Sequence, residues 1–194
     1  MTKINIINSL IQKLIRKRSE IVVQRIVPYL KNSNKIIDIG SGTGDVAFLL
    51  EKIGKKITPV DVNNFHGPRL VKTIIYDGKT LPFKDKSFDT ALLLTVLHHT
   101  SNPGAVFLEA SRVANEVIII ETSYTNSINR FFTIISDAIG NLRLEASWSS
   151  YKTDKDWKTF FEKHGFQIKE SHKFNDRNLG IIPFLHILYY LKKE

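Results

Sequence analysis

The 194-residue sequence contains no cysteine and one methionine. The absence of cysteine excludes a disulfide framework, thiolate ligands for zinc or iron–sulfur clusters, and a cysteine nucleophile. The sequence also lacks an apolar run of the ~18–20 residues that a membrane-spanning helix needs. We expect a cytoplasmic protein without a signal peptide, because the first residues do not combine a compact apolar core with a cleavage site of small residues.

Length and composition fit one globular domain with a full core, since 42% of the residues are hydrophobic and 24% are charged. The net charge of +9 is unevenly distributed. Residues Met1–Lys35 include eight basic residues and one acidic residue, which gives +7, whereas the remainder carries +2. This excess indicates an anionic partner at one end of the chain, either a membrane or a nucleic acid. A solvated basic helix would explain it equally well.

Two stretches near the N-terminus have apolar residues at helical spacing, and Pro28 is expected to kink or end the second helix. The two apolar stripes are Ile7, Leu10, Ile11, Leu14 and Ile15, and then Val22, Val23, Ile26, Val27 and Leu30. From residue 35 onward the pattern changes to strands that alternate with helices. Such alternation predicts βαβ units and a mostly parallel sheet with helices on both faces. The predicted strands are residues 35–39, 57–62, 70–76, 87–95 and 117–121, and the helices between them are residues 46–53 and 103–113.

The last third of the sequence departs from this alternation. Residues 128–139 are predicted to be helical, and Thr153 with Asp156 resembles the capping box of a further helix. Two strands follow, at residues 167–174 and 186–191. Because their connection is too short for a helical crossover, this pair is expected to be antiparallel.

A glycine-rich loop follows the first strand, in the segment Asp38-Ile39-Gly40-Ser41-Gly42-Thr43-Gly44. Glycines at such a place let the backbone pass close to a ligand and turn sharply into a helix. The spacing differs from the dinucleotide pattern G-x-G-x-x-G, whose third glycine would fall on Asp45. The carboxylate of Asp38 suits a ligand that carries positive charge and would be poorly placed against a pyrophosphate.

Two further aspartates lie at strand ends, where ligands of parallel sheets bind. Asp61 ends the second strand and could accept both hydroxyls of a ribose, although it could equally cap the turn before Asn63. Asp77 precedes Gly78 and could accept the amino hydrogens of an adenine ring, although an aspartate before glycine is also ordinary turn chemistry.

These motifs and their order resemble the class I S-adenosylmethionine (SAM)-dependent methyltransferases. The segments are DIGSGTG, VDV, DGKTLPFKDKSFD and LLLTVLHHT followed by NP, and they lie between Lys35 and Glu121. The sequence is most similar to the type 11 branch, which includes quinone and lipid methyltransferases. The resemblance implies a Rossmann-like sheet of seven strands in the order 3-2-1-4-5-7-6, with strand 7 antiparallel. It also implies that residues 1–34 form helices that cover the substrate and that residues 35–194 form the methyltransferase domain.

The resemblance implies SAM as the cofactor and assigns roles to residues of this sequence. Asp38, Gly40, Gly42 and Gly44 would hold the methionine moiety, and Asp61 the ribose. The adenine would lie against Asp77 and Gly78. Thr95 and Val96, at the end of the fourth strand, would line the pocket near the transferring methyl group.

The methyl acceptor is expected to be a small or lipid-like molecule that is methylated at oxygen, nitrogen or carbon. The segment TVLHH, where adenine and glutamine N-methyltransferases have N/D-P-P-Y/F, counts against that chemistry, and no metal is expected because the paired glutamates of metal-dependent relatives are missing. His98 or His99 could act as a general base if the acceptor must lose a proton, or could simply pack in the core. The candidates to face the acceptor are Tyr124, Arg130, Trp148 and Tyr151.

Three other functions stay open on the sequence alone. An RNA methyltransferase would suit the charge of +9, but the N-terminal charges accompany an Ile/Leu stripe rather than stacking aromatic residues. A nicotinamide-dependent oxidoreductase is disfavoured by the glycine spacing. A SAM-binding protein without catalysis would conserve the same cofactor motifs. The basic N-terminal helix could also lie on an anionic membrane surface, which would make the protein peripheral to the membrane.

Overall fold

The computed structural model describes residues 3–63, 71–131, 133–134, 150–178 and 182–193. The chain begins with helix α1 (Lys3–Ile26) and a 3₁₀ helix (Val27–Leu30) that contains Pro28 in its first turn. The other helices are α2 (Asp45–Lys52), a second 3₁₀ helix (Leu97–His99), α3 (Pro103–Val113) and α4 (Asp154–Lys163). Residues 127–131 and 133–134 are also helical, and the rest of the helix predicted at 128–139 lies outside the described residues.

Seven strands form one sheet in the order β3-β2-β1-β4-β5-β7-β6. The first five strands are parallel to one another, and β7 is antiparallel to both of its neighbours. This order confirms the predicted Rossmann-like sheet. The strands are β1 (Lys35–Ile39), β2 (Lys56–Asp61), β3 (Ile74–Ile75), β4 (Phe88–Leu94), β5 (Ala114–Ser123), β6 (Phe166–Asn178) and β7 (Ile182–Lys193).

The two faces of the sheet are covered by different helices, because successive strand residues point to opposite faces. On one face, Val117 and Ile119 of β5 pack in the same cluster as Phe107 of α3 and Phe161 of α4. On the other face, a second cluster contains residues of α1, the first 3₁₀ helix, α2 and the central strands. Its fully buried members include Ile26, Leu30, Leu50, Ile118 and Leu188.

Four strand predictions differ from the structure in length. The fifth strand, predicted at 117–121, covers Ala114–Ser123, because it pairs with β4 on one side and β7 on the other. The third strand was predicted at 70–76, but strand pairing covers only Ile74–Ile75, which pair with Val60 and Asp61 at the edge of the sheet. The final two strands are much longer than predicted, because β6 and β7 pair along their whole length as a hairpin. Pairing with a neighbour therefore fixed these bounds, rather than the local apolar pattern.

Candidate active site

The glycine loop follows β1 at the carboxyl edge of the sheet. Gly40, Gly42 and Gly44 all have left-handed backbone conformations, with φ of 75°, 56° and 81°. The loop also packs closely against other segments, since a Cβ atom on Gly40 would lie 2.7 Å from a methyl group of Val96. A Cβ atom on Gly44 would lie 2.5 Å from a methyl group of Val71. The backbone conformation therefore favours glycine at all three positions, and the contacts with Val96 and Val71 also require it at Gly40 and Gly44.

Asp38 lies beneath this loop and is 2% exposed. Burial, and secondarily the nearby carboxylate of Asp61, raise the pKa of Asp38 to about 7. Among the residues that the structure describes, none donates a hydrogen bond to its Oδ2 atom. A buried carboxyl oxygen without a partner is costly, and a cationic group at this position would satisfy it. The α-amino group of SAM is such a group, so the site fits the predicted cofactor.

Asp61 connects the end of β2 to the glycine loop. Its Oδ2 atom accepts the Gly42 N–H at 2.8 Å, and its Oδ1 atom accepts the Asn63 N–H at 2.9 Å. The turn-capping interaction considered from the sequence is thus present. It leaves acceptor capacity for ribose hydroxyls, because each carboxylate oxygen can accept more than one hydrogen bond.

Asp77 and Gly78 form a turn after β3. The Oδ1 atom of Asp77 accepts the N–H groups of Lys79 and Thr80 at 2.8 and 2.9 Å. These bonds, that of Thr80 first, lower the pKa of the exposed Asp77 carboxyl group. Gly78 has φ of 76° and approaches Val62 closely.

Two side chains of α3, Glu109 and Arg112, form hydrogen bonds with the next segment of the chain, and no sequence pattern indicated these contacts. Glu109 accepts the Leu81 N–H at 2.7 Å, and Arg112 donates to the Phe83 carbonyl oxygen at 2.9 Å. Arg112 also pairs with Asp85 at 2.7 Å and with Glu109 at 2.6 Å. Leu81, at 2% exposed, belongs to the core, whereas Phe83 is half-buried beside the predicted adenine position.

Thr95 and Val96 form the corner where β4 ends. Thr95 has φ of 59°, an uncommon conformation for a β-branched residue, and its N–H donates to the Ile120 carbonyl oxygen at 2.6 Å. Its hydroxyl group receives a hydrogen bond of 3.4 Å from the guanidinium group of Arg18. Helix α1 therefore reaches the carboxyl edge of the sheet, a contact across 77 residues that the sequence did not reveal.

The two candidate bases differ in exposure. His98 is 1% exposed and its Nδ1 atom contacts a carboxylate oxygen of Glu121, whereas His99 is exposed to solvent. The two rings lie 4.0 Å apart. Glu121 was identified from the sequence only as the end of a strand. Its position could have revealed it. A lone charged residue follows the apolar run Val117–Ile120 of β5, at the edge of the sheet where ligands bind.

The structure brings together some of the predicted acceptor-facing residues. Tyr151 is 2% exposed, and its ring lies 4.9 Å from that of His98. The guanidinium group of Arg130 lies 5.1 Å above the Tyr124 ring. Trp148 lies outside the described residues. Within the described part of the chain, no group of three His, Asp or Glu side chains is placed to hold a metal ion.

Known proteins resemble part of this sequence. Residues 37–116 match the model of a methyltransferase domain family of type 11. A demethylmenaquinone methyltransferase from Tropheryma whipplei is 27% identical over 105 residues, which cover 46% of this chain and 42% of the relative. An uncharacterized protein from Methanocaldococcus jannaschii is 41% identical over 78 residues, which cover 40% of this chain and 38% of that protein. The matches thus span about two fifths of the length of these curated relatives.

Solved structures resemble the chain over almost its whole length. A SAM-dependent methyltransferase from Thermotoga maritima, described as a possible histamine N-methyltransferase, superposes with a TM-score of 0.71 at 18% identity and covers 98% of this chain and 97% of its own. The magnesium protoporphyrin IX methyltransferase of Synechocystis was solved with bound SAH (S-adenosylhomocysteine). It superposes with a TM-score of 0.66 at 16% identity, and the match covers 100% of this chain and 90% of that protein. The chain therefore has the fold of these SAM-dependent methyltransferases, and residues 37–116 match a methyltransferase domain of type 11.

Proposed function

We propose that this protein transfers a methyl group from SAM to a small-molecule or lipid-like acceptor, at an oxygen, nitrogen or carbon atom. The observation that carries the proposal is the buried Asp38 carboxyl group beneath the glycine loop, whose Oδ2 atom has no hydrogen-bond donor among the described residues. A positively charged amino acid moiety would provide that donor, whereas a pyrophosphate would add a second negative charge.

The other cofactor contacts that we assign lie at the same edge of the sheet. We assign the methionine moiety to Asp38, the ribose to Asp61, and the adenine to Asp77 and Gly78. Gly40, Gly42 and Gly44 have no side chain and therefore allow the backbone to approach the ligand. A side chain on Gly40 or Gly44 would also collide with a neighbouring valine. Thr95 and Val96 would lie beside the reacting centre.

SAM, when bound, supplies an electrophilic methyl group. The protein's main task is then to hold the acceptor in line with the donor and to exclude water. A base is needed only if the acceptor must lose a proton. His98 and His99, which are our candidates for this role, lie in the 3₁₀ helix that follows Val96. Tyr151, which packs on His98, is our candidate for the acceptor side of the site.

A lipid-like acceptor is favoured by the first helix of the chain. Its exposed basic residues Lys13, Arg16 and Lys17 adjoin Ile15, which is 37% exposed, and Arg18 of the same helix reaches Thr95 in the site. A helix of this composition can lie on an anionic membrane surface. No helix in the described part of the chain is long and apolar enough to cross a membrane. The quinone named for the Tropheryma whipplei relative is an acceptor of this kind.

Calorimetry with SAM, SAH and NADH tests the cofactor assignment. We expect SAM and SAH to bind with dissociation constants in about the micromolar range and NADH not to bind. Asp61→Ala should weaken SAH binding roughly 10- to 100-fold, because charge-assisted hydrogen bonds are lost. Glu162→Ala, a change of an exposed carboxylate on α4, serves as the control. Tight NADH binding without a response to SAM would overturn the proposal.

A labelling experiment tests the acceptor class. Wild-type protein and the Asp61→Ala variant are incubated with methyl-labelled SAM and cell extract, which is then separated into organic-soluble, aqueous small-molecule, RNA and protein fractions. Label in either of the first two fractions, dependent on Asp61, supports the proposed acceptor, and label in the organic fraction selects a lipid-like one. Label in RNA would favour an RNA methyltransferase. Cofactor binding without any transfer would indicate a non-catalytic SAM-binding protein.

A further inference from the structure

Glu121 lies near the end of β5, and its side chain is fully buried. Its Oε1 atom accepts the N–H groups of Val96 and Leu97, at 3.0 and 2.7 Å. Its Oε2 atom contacts the Nδ1 atom of His98. One carboxylate thus accepts two backbone N–H groups and contacts the His98 ring, so that it interacts with three consecutive residues of the loop that follows β4.

The loop that Glu121 holds begins with an unfavourable backbone conformation. Thr95, just before it, has φ of 59°, and such a conformation persists in a β-branched residue only when its surroundings hold it. The next side chain, Val96, packs directly on Gly40 of the glycine loop. Any change in the course of this loop would therefore change the wall of the proposed cofactor site.

The contact with His98 also determines which ring nitrogen carries the proton. An ionised carboxylate can only accept hydrogen bonds, so Nδ1 must be the donor. In the neutral ring, Nε2 is then the basic atom. The His98 ring lies 4.9 Å from Tyr151, on the side that we assign to the acceptor.

We infer that Glu121 is a positioning residue with two separable tasks, one for each carboxylate oxygen. Oε1 holds the loop at Val96 and Leu97 against the glycine loop, which supports cofactor affinity. Oε2 fixes the Nδ1–H tautomer of His98, which presents Nε2 as the proton acceptor. The inference rests on the proposed methyl transfer, but its second task is measurable without substrate or cofactor.

Two variants separate the tasks. In Glu121→Gln the amide oxygen can replace Oε1, while the amide NH₂ group takes the place of Oε2 and donates to Nδ1. The His98 ring should then carry its proton on Nε2. We expect SAH affinity within about threefold of wild type for Glu121→Gln and a loss of at least about tenfold for Glu121→Ala, which removes both backbone contacts.

Nitrogen-15 NMR of the histidine rings, at a pH above their titration, reads the tautomer directly, and His98→Gln assigns the signal. An Nδ1–H tautomer in wild type that becomes Nε2–H in Glu121→Gln supports the inference. An Nε2–H tautomer in wild type, or a folded Glu121→Ala variant that binds SAH like wild type, would overturn it. If Glu121→Ala does not fold, the inference is tested by Glu121→Gln alone, through its His98 tautomer and its affinity for SAH. Failure of wild type to bind SAH would instead contradict the proposed function.

Discussion

Asp38 is a buried carboxyl group at the carboxyl edge of the sheet, where we propose that it binds the cofactor. Burial, together with the nearby carboxylate of Asp61, raises the pKa of Asp38 from 3.8 to about 7 in the folded protein. Between these values the folded chain binds a proton that the unfolded chain has released. The free energy of unfolding contributed by Asp38 therefore falls as the pH rises from about 4 to about 7. A bound ammonium group reverses the preference, because it stabilises the ionised carboxylate.

The first prediction is that Asp38→Asn stabilises the ligand-free protein at pH 8 and weakens SAH binding. The gain in free energy of unfolding should be at most about 4 kcal/mol, corresponding to a pKa shift of roughly three units, and should disappear near pH 4. SAH affinity of wild type should fall by up to about tenfold per pH unit below pH 7, since binding must first remove the proton. Chemical denaturation and calorimetry at several pH values measure both effects. Wild-type affinity that does not change between pH 5 and pH 8 would contradict this account.

The second prediction concerns Gly40, with Gly54 as a matched control. Both have left-handed conformations, with φ of 75° and 82°, but a Cβ atom on Gly54 would have no neighbour within 4 Å. Gly54→Ala should cost about 1–2 kcal/mol of stability from the backbone conformation alone. Gly40→Ala should cost more and weaken SAH binding, because its Cβ atom would collide with Val96. Adding Val96→Ala should recover the excess cost in denaturation experiments. An equal cost for the two single variants would show that the contact with Val96 does not matter.

At the scale of helices and strands, the order of the sheet and its antiparallel terminal pair were predictable, but the bounds of several strands were not. The start of α3 follows from local chemistry, because Asn102 caps the helix and accepts the Ala105 N–H while Pro103 occupies the first turn. The buried strand β4 follows from its unbroken apolar run. The bounds of β3 and β6 depend instead on which strand lies beside them, and this information is not local.

The same reasoning explains which site residues the sequence could indicate. Asp38, Asp61 and Asp77 stand at strand ends beside glycines or turns, so their positions follow from the strand pattern. Glu121 and Arg18 enter the proposed site through contacts with residues 23 or more positions away along the chain. No local pattern reports such contacts. Trp148 lies outside the described residues, so its predicted place on the acceptor side stays a prediction.

The third prediction tests how the first helix belongs to the fold. Ile26, at the end of α1, is fully buried in the cluster that also contains Ile36, Leu50 and Leu92. Ile26→Ala should therefore reduce the free energy of unfolding by about 2–5 kcal/mol. Ile15→Ala, on the same helix but at a residue 37% exposed, should cost less than about 1 kcal/mol. Equal, small effects in denaturation would mean that α1 is not anchored in the core of the methyltransferase domain.

At the scale of the whole molecule, acidic and basic groups are concentrated in different places. The carboxyl groups of Asp38 and Asp61 lie at the cofactor edge, where a cationic ligand would bind, whereas +7 of the net charge of +9 belongs to Met1–Lys35. Because Arg18 connects α1 to Thr95, the basic segment and the proposed site are adjacent. If α1 binds an anionic membrane, as we propose, this arrangement would let an acceptor dissolved in that membrane reach the site.

The last prediction is that the exposed basic residues of α1 bind anionic membranes. Lys13, Arg16 and Lys17 are changed together to glutamine, and the control changes Lys155, Lys163 and Lys169, three exposed lysines of α4 and β6, so both variants lose the same charge. Attraction to acidic lipids contributes about 1 kcal/mol per well-placed basic residue, so the α1 variant should partition onto vesicles roughly 100-fold more weakly than wild type. The control should resemble wild type.

Co-sedimentation with vesicles of rising phosphatidylserine content, at low and high salt, measures this binding. The binding should weaken with salt because the attraction is electrostatic. Equal losses in the two variants would indicate attraction by net charge alone. Absence of binding at low salt, together with salt-sensitive binding to RNA, would instead favour a nucleic acid as the partner of this helix.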